Sequence, residues 1–124
     1  MAAPNIVNVT AIYGKVVTAD LTTTAATSVL SNAASSGKVF KIDSLVVANT
    51  DTANAVTVTV AQYSAAAIGG TATAIASTIS VPAASSLIVI DKTNMIYLEE
   101  NMSIGATAGT ASKLKVVCSY EDIS

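Results

Sequence analysis

KVFKIDSLVVANTDTANAVTVTVAQY, residues 38–63, is the stretch on which the fold turns. Val56, Val58 and Val60 alternate with Thr57, Thr59 and Ala61. Successive side chains of a strand point to opposite faces, so three valines share one face and small or hydroxyl-bearing groups the other. Val39 to Ala48, just before, is rich in Val, Ile, Leu and Phe. Asn49-Thr50-Asp51-Thr52-Ala53-Asn54 joins the two runs with residues that favour turns by bonding their own backbone. The pair reads as the central hairpin of an all-β domain. In its first strand Phe40 and Ile42 share a face, while Leu45 and Val47 fall on the other. Either both faces are covered or a bulge near Asp43-Ser44 shifts the phase.

Outward from this pair the same period-2 pattern recurs. Upstream, Ile6 to Val17 carries Val7, Val9, Ala11 and Tyr13 on one face and Ile12 and Val16 on the other, with Gly14 marking a bulge or a break. Residues 1–13 are expected to form a contact arm ahead of a sandwich domain at 14–124. Thr18 to Ser36 is rich in Thr, Ser and Ala and admits one short strand at Thr27–Ser31. Downstream, Ser64–Ala74 reads as a flexible loop around Gly69-Gly70. Ile75, Ser77, Ile79 and Val81 form the next alternating run, stopped by Pro82, which has no N–H to give a ladder. Ser86–Asp91 is a buried strand, Ile96 and Leu98 a short one, and Met102–Ala108 and Lys113–Tyr120 two more.

Eight or nine short strands at intervals of roughly 8–12 residues predict an antiparallel β-sandwich, a jelly roll or a close relative. No segment reads as a crossover helix, which argues against a parallel α/β sheet. The expected core is Phe40, Ile42, Val56, Val58, Val60, Ile79, Val81, Ile88, Ile90, Leu98, Leu114 and Val116.

Composition narrows the function. The 124 residues suit one domain, yet they include no Trp and a single Phe. A core of Val, Ile, Leu and Ala buries little area per residue, so contacts with other chains are expected to add stability. Only 11% of residues are charged, the net charge is −2, and every cation is a Lys. Without Arg or a basic run the footprint of a nucleic-acid binder is missing. No apolar run approaches the ~20 residues of a membrane helix. The start, MAAPNIVNVT, lacks the basic and apolar blocks of a signal peptide.

Candidate chemistry is sparse. There is no His, so no His-based nucleophile system can be built. Glu99-Glu100 and Glu121-Asp122 are carboxylate pairs, but neighbours on an extended chain point apart, and both read as solvated turns. Asp51 and Asp91 read as turn formers. No Asp-rich loop offers a calcium site. Gly105 to Lys113 departs from the phosphate-loop pattern and precedes a strand. The lone Cys118 excludes an internal disulfide and a cysteine zinc site; it alternates with Leu114 and Val116, as a small core residue does. Catalytic, cofactor and metal residues are therefore expected to be none, and the protein is expected not to be an enzyme.

One string of motifs spans most of the chain: IYGK (12–15), TTTAATSVLSNAASSGKVFKIDSLVVAN (22–49), VTVTVAQY (56–63), IASTISVPAASSLIVIDK (75–92), IYLEEN (96–101) and KVVCSYEDIS (115–124). It resembles small structural proteins in virions of tailed phages, especially marine phages infecting cyanobacteria. The resemblance covers roughly residues 10–124. It implies a virion component with no catalytic residues, made in the bacterial host cytoplasm. The first expectation is a capsid decoration, or cement, protein on the outer head surface, bound to the major capsid protein and to itself as a homotrimer, with no nucleic acid or membrane partner. Neck, tail or fibre attachment is the alternative location. A cell-surface or carbohydrate-binding sandwich module is the rival class, for which Tyr13, Tyr63, Tyr97 and Tyr120 look too scattered to form a platform.

Overall fold

The computed structural model describes residues 7–124. Among these there are nine strands and no helix. In chain order they are β1 (Ile12–Leu21), β2 (Thr27–Asn32), β3 (Val39–Asn49), β4 (Val56–Ala65), β5 (Gly69–Val81), β6 (Ser86–Ile90), β7 (Ile96–Leu98), β8 (Met102–Ala108) and β9 (Leu114–Ile123). Two antiparallel sheets result. One is five-stranded, in the order β1-β9-β3-β6 with β7 also on β3; the other is four-stranded, in the order β2-β8-β4-β5. β6 and β7 lie on the same flank of β3, against Leu45–Ala48 and Phe40–Ile42, and together fill one strand position. The chain passes repeatedly from one sheet to the other, and the order is that of a jelly roll.

The expected central hairpin does not exist. β3 lies in the five-stranded sheet and β4 in the four-stranded one. β9 covers one flank of β3 and β6 with β7 the other, so no edge remains for β4. The polar link therefore crosses between sheets. Asn49, 3% exposed, organises that crossing: its Nδ2 donates to the carbonyls of Asn54 and Val81, each at 3.0 Å, and its Oδ1 accepts from the Asp51 N–H at 2.9 Å. Buried Asn32 plays the same part where β2 crosses to β3, donating to the Lys38 and Leu98 carbonyls and accepting from Ser36.

Ten of the twelve expected core residues are buried. The phase problem in β3 is solved by a bulge at Asp43, where the register with β9 shifts between Ile42 and Ser44. An extra residue flips the alternation, so Phe40, Ile42, Leu45 and Val47 all face inward. A second bulge overturns one expectation. The pairing of β3 with β6 shifts between Leu45 and Val46, so Ile90 and Leu87 turn inward and Ile88 is left 62% exposed. Ile79 is also exposed, on edge strand β5 beside Thr78, which takes a positive φ of 49° in a third irregularity. Ile104, Leu21 and Cys118 also lie in the interior.

Two expected segments are redrawn. The presumed loop Ser64–Ala74 holds a tight turn at residues 66–68 and the start of β5. That turn folds over the outer face of the four-stranded sheet. The Ser103 hydroxyl donates to the Ala65 carbonyl at 2.7 Å and accepts from the Ile68 N–H at 2.8 Å. Gly105 must be glycine there, because a Cβ would lie 2.7 Å from Cγ2 of Ile68. Upstream, β1 begins at Ile12 rather than Ile6 and runs on to Leu21, in ten consecutive pairs with β9 and without the expected break at Gly14. Ile12 and Tyr13, expected in the arm, belong to this strand, and the N–H groups of Thr10 and Ala11 bond the Ser124 carbonyl. Residues 1–6 of the expected arm lie outside the described residues.

Candidate interaction surface

The two outer faces differ. On the four-stranded sheet, β4 presents Thr57 and Thr59, and Thr59 pairs across to Thr107. The outer face of the five-stranded sheet carries more large apolar side chains, set among Ser44, Ser119, Lys41 and Glu121. One row crosses all its main strands in register: Thr18, Val117, Val46 and Ile88. Val16 is 64% exposed in the row beside it, and Ile12, Val117 and Tyr97 are exposed too. β-branched side chains suit this position, since they lose little freedom on a pleated surface. Large apolar side chains left exposed in one region make this face the candidate for association.

Two ion pairs lie on this face. Lys115 reaches Asp20 at 3.1 Å, and Lys41 reaches Glu121 at 3.7 Å. Such exposed pairs add little to stability. At the open end of the sandwich Asp122 is more deeply placed. Its side chain is 3% exposed, and Oδ2 accepts from Lys15 at 2.8 Å and from Lys38 at 3.2 Å, while Oδ1 is buried without a partner among the described residues. Burial pushes its pKa up, and the hydrogen bonds and charges of the two lysines pull it down by more, so it lies below the usual carboxylate range. The Asp122 hydrogen bond in turn raises the pKa of Lys15.

The carboxylates expected to be solvated therefore divide. Glu99 is exposed, but Asp122 is buried inside β9, and both oxygens of Glu100 are shielded without a hydrogen-bond partner among the described residues. Strand β9 runs three residues past the expected end at Tyr120, which is why Glu121-Asp122 is not a turn. Asp51 and Asp91 do form turns. The Asp51 carboxylate accepts from the N–H groups of Ala53 and Asn54, and that of Asp91 from the hydroxyl and the N–H of Thr93; these bonds lower both pKa values. The tyrosines are spread out. Tyr13 and Tyr97 are exposed on β1 and β7, whereas Tyr120 packs against Phe40 with ring centroids 5.1 Å apart. Among the described residues no group of three His, Cys, Asp or Glu side chains could hold a metal.

Cys118 is fully buried between Val17 and Leu45, its cross-strand partners. Burial, with a smaller effect from Asp43, pushes its thiol pKa up to about 12. The thiolate is the reactive form. The native protein should therefore resist a thiol reagent and react fully once unfolded; stoichiometric labelling of the native state within minutes would contradict this placement.

No protein-family model and no curated protein matches the chain. Among solved structures, a chain from Bacillus endospore appendages, described as disulfide-linked pili, is similar with a TM-score of 0.51 at 18% identity; the match covers 91% of this chain and 88% of that one. A chain from infectious bursal disease virus, Gx strain, matches with a TM-score of 0.28 and 12% identity over 90% of this chain and 40% of that one. The first likeness bears on the fold, and it agrees with the two-sheet architecture described above.

Proposed function

We propose that this chain is a non-enzymatic structural protein of a tailed-phage virion, a decoration or cement protein on the outer surface of the head. The observation that carries the reading is the set of large apolar side chains exposed across the outer face of the five-stranded sheet, Val16, Val117 and Ile88 among them. It is a surface made for burial against protein. The motif resemblance to virion proteins supplies the setting. In this proposal the chain forms a homotrimer seated between capsomers, with the major capsid protein beneath it. Closed symmetry covers exposed apolar patches, and local three-fold positions of a shell match a trimer. The interface forms only on the assembled lattice, so binding stabilises the shell by mass action. Residues upstream of β1 add a further contact. The pilus neighbour is described as disulfide-linked; here the one cysteine is buried, so association rests on non-covalent contacts.

The test is purification of intact particles followed by cryo-electron microscopy. The expected result is this chain in fixed stoichiometry with the major capsid protein, with its density on the head. Density confined to the neck or tail would overturn the decoration role, and absence from particles would overturn the virion role.

A further inference from the structure

The turn between β4 and β5 has a shape that its own residues do not favour. Ala67 and Ile68 both take left-handed backbone, at φ 55° and 53°, and the Gly69 N–H donates to the Ala66 carbonyl at 3.1 Å. Two successive residues at positive φ make the kind of turn that hairpins fill with Asn-Gly or Asp-Gly. Alanine has no side-chain oxygen to offset the cost of this conformation, and β-branched isoleucine is an outlier in it. The shape is imposed from other strands. Each turn residue gives its N–H to a side chain outside the hairpin: Ala66 to Asn101 Oδ1 at 3.2 Å, Ala67 to Ser31 Oγ at 2.9 Å and Ile68 to Ser103 Oγ at 2.8 Å. Ser103 also donates to the Ala65 carbonyl. These side chains stand on β2, on β8 and just ahead of β8, so the turn reaches across β8 to β2.

Beneath the turn Gly105 leaves a notch, and Ile68 fills it: a Cβ at Gly105 would lie 2.7 Å from Ile68 Cγ2 and 3.0 Å from Tyr63 Cε1. The two arms that carry the turn are jointed. The register of β4 with β5 shifts between Tyr63 and Ala65, and Gly69-Gly70 stands on the other arm, with Gly70 at φ 71°. Magnitudes decide what such a turn does. Strain at a left-handed residue costs about as much as one or two neutral hydrogen bonds return. Two strained residues thus offset most of what the ties contribute, and the balance that holds the turn down is small beside what holds the core. We propose that residues 66–68 are a strap with two discrete positions. In the closed one the strap lies over β8 and Ile68 fills the notch at Gly105. In the open one it swings away on Ser64-Ala65 and Gly69-Gly70, and its backbone relaxes. The Ser103 hydroxyl and the notch then come to the surface while both sheets stay intact. The outer face of the four-stranded sheet thereby has two forms. The inference is independent of the virion role.

Amide hydrogen exchange on the intact protein in rising urea tests it, with each rate compared to the intrinsic one. The amides of Ala66, Ala67 and Ile68 should exchange through an opening that urea leaves almost unchanged. They should do so at least about a hundredfold faster than the amides of Val116 and Cys118 in β9, which await unfolding of the sheet. Ala67→Gly removes strain at an exposed position. It should slow exchange at Ala66 and Ile68 by about fivefold. Ser31→Ala removes one tie, also at an exposed position, and should speed exchange at the same two amides by about fivefold. Turn amides that share the rate and urea dependence of β9 overturn the strap, because opening is then global. Exchange at the intrinsic rate overturns it by denying the closed position. Exchange that is unchanged or shifts in the reverse direction in either variant overturns it by removing the strain or the tie from the account.

Discussion

Asn49→Ala should lower the stability of the fold by about 3 kcal/mol, at the upper end of what an unsatisfied buried polar group costs. The side chain is buried where the chain crosses between sheets, and three separate backbone groups depend on it. Alanine would leave the Val81 carbonyl without this donor in the interior. It would also free the start of the 50–55 link, because the Asp51 N–H loses its acceptor. Asn49→Asp should cost at least as much, since a carboxylate has nothing to donate to the Asn54 and Val81 carbonyls. Against a total stability of about 5–15 kcal/mol, either loss is large. Urea unfolding checks this: the midpoint should fall with the slope unchanged, as expected when the native state loses contacts but not its buried area. A midpoint that corresponds to under about 0.5 kcal/mol would show that the crossing holds without the side chain.

Acid should be the condition that exposes the second large effect. Asp122 has a lower pKa in the folded chain than in the unfolded one, because its two lysine partners outweigh its burial. The unfolded carboxyl, with a pKa of about 3.9, takes up a proton first. Stability from this group is therefore complete above that value and is lost as pH falls through the lower folded value. Asp51 and Asp91 shift in the same direction and steepen the same limb. Asp122→Asn should cost about 2 kcal/mol at neutral pH, the size of hydrogen bonds to a charged group, and should flatten the acid limb. The check is the unfolding midpoint in urea measured from pH 7 down to about pH 2.5, a range that brackets the carboxylate values. Parallel wild-type and variant curves would remove Asp122 from the account.

The class of fold was legible because alternation survives averaging. Val56, Val58 and Val60 face the core as the pattern required, and most strands fall where their apolar runs lie. Pairing was not legible, because alternation says which face is buried but not which strand is the neighbour. The 49–54 link has the chemistry of a turn whether it closes a hairpin or crosses between sheets. Only the competition of β9, β6 and β7 for the flanks of β3 decides. Bulges were hidden for a related reason. Val89 and Thr78 are ordinary strand residues, so nothing in them announced that Ile88 would turn outward or that Ile79 would be left at the surface. The interaction surface shares that blindness: its apolar row joins residues from four strands that are adjacent only after pairing. Gly14 read as a bulge or a break, and only the unbroken register with β9 shows that it is neither.

The position of β9 also bears on how the protein is made. It is the last of the nine strands to leave the ribosome, yet it lies in the middle of its sheet, between β1 and β3. Lys15 waits for Asp122 across 107 residues of synthesis. At about 5–20 residues per second, β1 spends several seconds with neither flank paired. The β4–β5 hairpin closes locally and early, while the five-stranded sheet closes only at the end, as a slow, non-local step. A nascent chain stalled before Leu114 should thus hold sticky, unmatched strands, and a chaperone should engage it at that length.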